Sequence, residues 1–190
     1  KWWIENSYGK NLYIGLIPSS LGDKKNSAWT TGNEIIRQIK MNRSFSQVDG
    51  AVFFSAKTFL QNRQGLNDSL RSNYYRYPAL CPVNRNIVGE PSAQPQNLRV
   101  LRDGKDAFLL WEEVNEEGGC QTAYYVVYAF KGKEVGDMNN PANIIARTTE
   151  NCIDLRTLPY KFKGNYTFVV TAVNRFRQES IPTLGITRKL

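Results

Sequence analysis

Side chains that carry acid-base or nucleophilic chemistry near neutral pH are scarce in this chain. Its 190 residues include no histidine, which excludes Ser-His and Cys-His nucleophile systems within the chain and zinc sites built on imidazole. The three cysteines, Cys81, Cys120 and Cys152, are 39 and 32 residues apart, so no CxxC pair suggests a thiolate metal site or a redox motif. Either one pair bridges and one thiol is spare, or all three are buried as small apolar residues, as free cysteines commonly are. No cofactor and no metal ion is expected. Four of the first half's acids, Asp23, Glu34, Asp49 and Asp68, lie near the strands and are the groups left to examine.

The elements that must position them fall into two patterns divided by a linker. Residues 81–95 contain three prolines and no sustained apolar periodicity, which marks an extended segment with a domain boundary near 90 to 95. Before it, 12–17 and 50–55 are short apolar runs that read as strands buried on both faces. Between them, 31–41 reads as a helix with Ile35, Ile36 and Ile39 on one face, started by Thr30 or Thr31 with Glu34 completing a capping box. A second helix is expected over 65–75, where Leu66, Leu70 and Tyr74 recur every four residues. A β-α-β unit of this size lacks the helices to cover two apolar strand faces, so the first half reads as a piece of something larger, or as a unit completed by self-association or by packing on the second domain.

After Pro95 the apolar period changes to two. Runs at 98–101, 107–111, 123–130, 144–146, 152–155, 166–173 and 185–187 read as seven short strands, the count of a β-sandwich. Tyr125, Val127, Tyr166, Phe168, Val170 and Trp111 are core candidates. The other members of 124–130 are expected as ordinary sheet residues, with a ligand-contact surface as the alternative. The order Pro95, Leu98, Trp111, then Tyr124 to Tyr128, then Tyr166-x-Phe168-x-Val170-x-Ala172-x-Asn174 followed by Glu179 and Ser180 resembles a fibronectin type III domain. That resemblance offers Tyr166 as the tyrosine-corner residue.

The composition is that of a globular protein, 41% hydrophobic and 22% charged, and no apolar run is long enough to span a bilayer. The net charge of +8 is concentrated in residues 1–94, which hold 12 Lys and Arg against 6 Asp and Glu. Those cations are spread singly and match no nucleic-acid motif, so a solvated basic surface is expected, with no nucleic-acid partner. Tyr74, Tyr75, Arg76 and Tyr77 interleave aromatics with a cation as single-strand binders do, but their place beside the linker suits a packing role better.

In the first half, the order of Leu12 to Gly15, Trp29, Glu34 to Gln38, Arg43, Gly50 to Ser55, Leu70, Tyr74 and Tyr77 to Pro82 resembles the end of the glycosyl-hydrolase-like (β/α)8 barrels of bacterial surface and secreted proteins. Fibronectin-like domains often follow such barrels. The resemblance implies an α/β plus all-β chain. Residues 1–90 would supply the last two β-α units of a barrel, a partial barrel fragment, and residues 91–190 a fibronectin type III-like β-sandwich. It further implies the C-terminal fragment of a secreted glycoside hydrolase acting on a polysaccharide, with a secreted, periplasmic or cell-surface location. The partners expected are a glycan and either the missing N-terminal barrel segment or a second copy.

Chemistry in such barrels sits at the carboxyl ends of the strands, which here means the residues after 12–17 and after 50–55. Glycoside hydrolysis uses two Asp or Glu residues about 5 to 10 Å apart. Of the four acids only Asp23 follows a strand, and a loop role suits it better. Glu34 fits a cap, Asp49 precedes a strand and Asp68 lies on the last helix. No catalytic residue is therefore assigned. The candidate substrate-binding residues are Trp29, whose ring is a platform for a sugar or a staple for the helix after it, and Ser55, a hydrogen-bonding group at a strand end or a helix cap. The alternative function is a non-catalytic glycan- or protein-binding sandwich.

Overall fold

Two short apolar runs pair in parallel as β1, Leu12–Leu16, and β2, Val48–Phe53, with Tyr13 opposite Gly50 and Leu16 opposite Phe53. The computed structural model describes residues 1–31, 33–87, 89–103, 106–115 and 121–190, and divides into Lys1–Arg76 and Tyr77–Leu190. In the first unit a helical turn, α1 (Trp2–Glu5), precedes β1, and helix α2 (Asn33–Arg43) joins the two strands. Two short helices, α3 (Ala56–Leu60) and α4 (Leu66–Ser69), follow β2, and α4 runs on into a wide turn over Leu70–Tyr74.

The spacing of Ile35 and Ile39 in α2 sets the core of this unit. Both are buried, and they meet Leu16, Leu21, Leu66 and Leu70, with Ile14, Ala51, Phe53 and Phe59 packed alongside. Burying a side chain of this size contributes about 1.5 to 3 kcal/mol. Lys40 and Arg43 occupy the last turn of α2, where cations favour the helix dipole. Arg43 donates from Nη2 to the Tyr74 carbonyl at 2.6 Å and lies 5.2 Å from the Tyr75 ring. The tyrosines that resembled a stacking platform thus face a cation of their own unit.

The expectation that both strands are buried on both faces is corrected. Ile14, Leu16, Ala51 and Phe53 face the helices, but Tyr13, Ile17, Val52 and Phe54 are 42%, 52%, 57% and 73% exposed. The strands alternate because helices are supplied on one side only. Tyr13 lies across Gly50, where an added Cβ would come within 3.1 Å of its ring.

Among the described residues, the second unit is an antiparallel sandwich of seven strands. One sheet has the order β3-β4-β7 (Arg99–Asp103, Asp106–Leu110, Cys152–Asp154). The other has the order β6-β5-β8-β9 (Ile144–Thr148, Thr122–Lys131, Asn165–Asn174, Ile186–Lys189). Leu109, Trp111, Tyr125, Val127, Phe168 and Val170 are buried between the sheets. The Trp111 ring meets Tyr125 edge-on at 5.4 Å, and the Tyr125 hydroxyl accepts from the Val114 N–H at 2.9 Å. Tyr160, not Tyr166, sends its hydroxyl to a backbone carbonyl, that of Ile144. Tyr166 instead packs its ring against Phe162 at 5.0 Å.

The larger sheet is buried on its outer face as well. Val126, Tyr128, Phe130, Ile144, Val169 and Val173 form a second cluster, against which Leu80, Tyr124 and Met138 pack. Residues 125–130 are therefore buried, and Tyr124 is half-buried. Gly136 permits the loop after β5 to lie on Phe130, since a Cβ there would fall 2.9 Å from the ring.

The segment after β8 satisfies the edge of that strand with side chains. Ser180 N–H and Thr183 N–H donate to the carbonyls of Ala172 and Val170, while their hydroxyls accept from the N–H groups of those same two residues at 3.0 Å each. Glu179 accepts from the hydroxyls of Tyr128 and Thr171, both at 2.6 Å, and burial pushes the Tyr128 hydroxyl far above its usual range. Asn174, fully buried, accepts from the N–H groups of Phe176 and Gln178 and donates to Gln178 Oε1 and the Glu90 carbonyl. Gln178 adds a bond to the Gly89 carbonyl, and the Asn84 N–H reaches the Phe176 carbonyl. Asn84, Gly89 and Glu90, which lie in the stretch read from sequence as an extended linker, are bound to this hairpin. Cys81 and Cys152 are free and exposed, which corrects both the buried reading and a bridge between them. Cys120 lies outside the described residues. Among the described residues, no helix is long and apolar enough to cross a membrane.

Replacing Asn174 by Ala leaves two half-buried N–H groups, the Glu90 carbonyl and Gln178 Oε1 without this partner. This is expected to cost about 2 to 3 kcal/mol in urea unfolding and to open the chain at Gly89 and Glu90 to limited proteolysis. An unchanged midpoint and digestion pattern would show that the linker is held elsewhere.

Candidate functional site

The carboxyl ends of β1 and β2 are adjacent, since the Phe54 N–H donates to the Leu16 carbonyl at 2.9 Å. The chain after β1 makes a closed loop there. A short 3-10 turn, Pro18–Ser20, leads to Leu21, which is buried, and the loop base is closed by Gly22 N–H donating to the Trp29 carbonyl at 2.7 Å. Gly22 has φ +88, a conformation that favours glycine. Asn26 caps a second 3-10 turn, Ser27–Trp29, by accepting from the Ala28 N–H at 3.0 Å.

The turn that follows α3 holds both stems of this loop. Arg63 Nη1 donates to the Ser19 carbonyl at 3.2 Å and Gln64 Nε2 to the Thr30 carbonyl at 2.9 Å. Asn62, Gln64 and Gly65 all have positive φ, 44°, 51° and 67°. Asn62 offsets the cost for its residue by accepting from the N–H groups of Asn67 and Asp68, so it caps α4 from outside. A groove of about 450 Å³ lined by Thr30, Thr31, Asn33, Ile36, Gln64, Leu66 and Ser69 lies beside this turn in the helical layer.

The structure places Trp29 and Ser55 on the loops that leave neighbouring strand ends. Trp29 is half-buried against the apolar cluster under α2. Ser55 occupies the first position before α3, but its side chain makes no capping bond; only its carbonyl is engaged, by the Thr58 N–H. Phe54, which the sequence reading passed over, is the most exposed aromatic at these strand ends. The signal available for it was the register: two apolar residues in succession at the end of a strand cannot both face one core.

The four acids are each used locally. Asp23 Oδ1 accepts from the Lys25 N–H, Asp49 Oδ2 from the Leu12 N–H at the amino ends of the strands, and Asp68 Oδ2 from Asn62 Nδ2. Glu34 does not complete the predicted capping box. Its carboxylate accepts from Arg37 Nε and Nη2, both at 2.8 Å, and from Gln38 Nε2 at 2.7 Å. The Arg37 bonds, then the Gln38 bond, hold its carboxyl down to about 2 from an ordinary 4.5. Side chains one turn ahead on the helix outcompete the reach back to the N-cap. Among the described residues, no three Cys, Asp or Glu side chains gather as metal ligands would.

The fold and strand ends define a two-unit protein, a parallel β-α-β layer joined to an antiparallel sandwich. No family model matches the chain. Over 182 residues it is 27% identical to "Glycosyl hydrolase YngK" of Bacillus subtilis (strain 168), covering 94% of this chain and 35% of that protein. The chain spans about a third of the length of this curated relative. Two solved structures also share similarity. "Titin kinase and its flanking domains" has a TM-score of 0.38 and 20% identity over 52% of this chain and 17% of that one. The spore cortex lytic enzyme SleM of Clostridium perfringens has a TM-score of 0.36 and 15% identity over 52% and 28%.

Two outcomes follow from this geometry. Ser55→Ala removes a hydroxyl that makes no cap, so thermal or urea unfolding is expected to move by less than about 0.5 kcal/mol; a loss of 1 kcal/mol or more would reveal a cap. The Glu34 carboxyl titrates lower in the folded than in the unfolded chain, so the stability it contributes is present above pH 4.5 and is lost as the pH falls toward about 2. Comparing the acid unfolding of the parent with that of Glu34→Gln checks it: the two curves should converge at the low end of that window.

Proposed function

We propose that this chain is the carboxyl-terminal part of a secreted, glycan-acting protein of the glycoside hydrolase type. In this reading the first unit supplies the last two β-α units of a (β/α)8 barrel and the second is a fibronectin type III-like accessory domain. The observation that carries it is the similarity to a glycosyl hydrolase along 94% of the chain, across both units. The bare face of β1 and β2 supports the barrel, because parallel strands are ordinarily covered on both sides. The division of the sandwich into three and four strands supports the fibronectin-like reading.

The part played by this piece is to position a glycan, with the acid pair supplied from the remainder of the barrel. Trp29, Ser55 and the exposed Phe54 sit where a barrel meets its substrate. An aromatic ring at that end offers an apolar face to a sugar, and a serine hydroxyl offers a donor and an acceptor.

An antibody raised against this chain tests the reading in the cells of origin. The native polypeptide is expected in the culture supernatant, periplasm or envelope fraction, at a mass well above 21.7 kDa. A band at 21.7 kDa, or one confined to the cytoplasm, would overturn it.

A further inference from the structure

The two segments at the carboxyl ends of β1 and β2 carry more cations than acids. Residues 17–31 and 54–65 contain four cations, Lys24, Lys25, Lys57 and Arg63, and one acid, Asp23. At the amino ends of the same strands, residues 6–11 and 43–49 contain two cations, Lys10 and Arg43, and one acid, Asp49. All four carboxyl-end cations are exposed, and among the described residues none of them is paired with a carboxylate. Arg63 gives its hydrogen bonds to neutral groups, the Ser19 carbonyl and Gln61 Oε1, so its charge is not neutralised.

These charges sit on an ordered scaffold. Lys24 and Lys25 occupy the tip of the loop whose base is closed by Gly22 and Trp29 and whose stems are held by Arg63 and Gln64. Lys57 lies in the first turn of α3. Fixing such groups before binding lowers the ordering cost of association. Phe54 and Ile17 leave apolar surface, 73% and 52% exposed, at the same strand ends. A flexible polyanion without rings would make no use of that surface, whereas an acidic sugar presents a carboxylate and an apolar ring face together.

We propose that the glycan met at these strand ends is anionic, a carboxylate-bearing polysaccharide whose acid groups are drawn by Lys24, Lys25, Lys57 and Arg63. The inference rests on the glycan reading above and narrows it to a class of substrate.

Affinity electrophoresis of the whole chain through immobilised polymers tests it, with polygalacturonate, its methyl ester, solubilised peptidoglycan strands and poly-glutamate as probes. Retardation by polygalacturonate or by peptidoglycan strands is expected, and which of the two acts identifies the source of the carboxylate. The methyl ester should bind at least about tenfold more weakly, and added salt should release the acidic polymer. Lys24→Glu combined with Lys25→Glu, at exposed positions whose change leaves the circular dichroism unaltered, should lower affinity by about tenfold. Equal binding of the acid and its ester would overturn the inference and leave the glycan reading standing. Equal binding of poly-glutamate would reduce the cations to non-specific attraction and also overturn it. No binding to any of the polysaccharides would remove both.

Discussion

A parallel pair of strands joined through a helix has that helix on one side and nothing of its own to put on the other. In the first unit this constraint decides nearly everything. The helical side holds Ile35, Ile39, Leu66 and Leu70 in a dry cluster over Ile14, Leu16, Ala51 and Phe53. The far side keeps Tyr13, Ile17, Val52 and Phe54 in solvent. The carboxyl ends, where loops are long and neighbouring strands converge, hold the side chains with any claim to chemistry. The second unit meets the same demand differently: its larger sheet is apolar on both faces, and Leu80 and Met138 from flanking chain cover the side turned away from the other sheet.

Much of the architecture was legible because it rests on local periodicity. All seven sandwich strands were visible as period-two runs, and α2 as an isoleucine stripe. What escaped depends on partners distant in sequence. Arg63 and Gln64 bind carbonyls 44 and 34 residues away, and no pattern within a short window announces that. The short helix α3 has five residues, too few to show a periodicity. The anchoring of the proline-rich stretch was not legible because proline content marks extended backbone, and extended backbone can be pinned as firmly as a strand when a buried Asn such as Asn174 donates to one of its carbonyls.

The candidate site was legible in position more than in role. Trp29 and Ser55 were found because they follow strands. The capping roles weighed for Ser55 and Glu34 turned on rotamers: Ser55 makes no cap and Glu34 turns toward Arg37 and Gln38. Phe54 was passed over because an apolar run was read as wholly interior. Exposed cysteines are a further case, since apolar character alone does not decide which face of a segment Cys81 or Cys152 occupies.

Asn84, Gly89 and Glu90 connect to the sandwich through the hairpin after β8, by way of Phe176, Gln178 and Asn174, well before the chain reaches β3. Tension applied from the upstream side would therefore be borne by that clasp before it reached the pairing of β3 with β4. The segment behaves as a strain relief at a cable entry: the sheet behind it keeps its register while the connection outside is pulled.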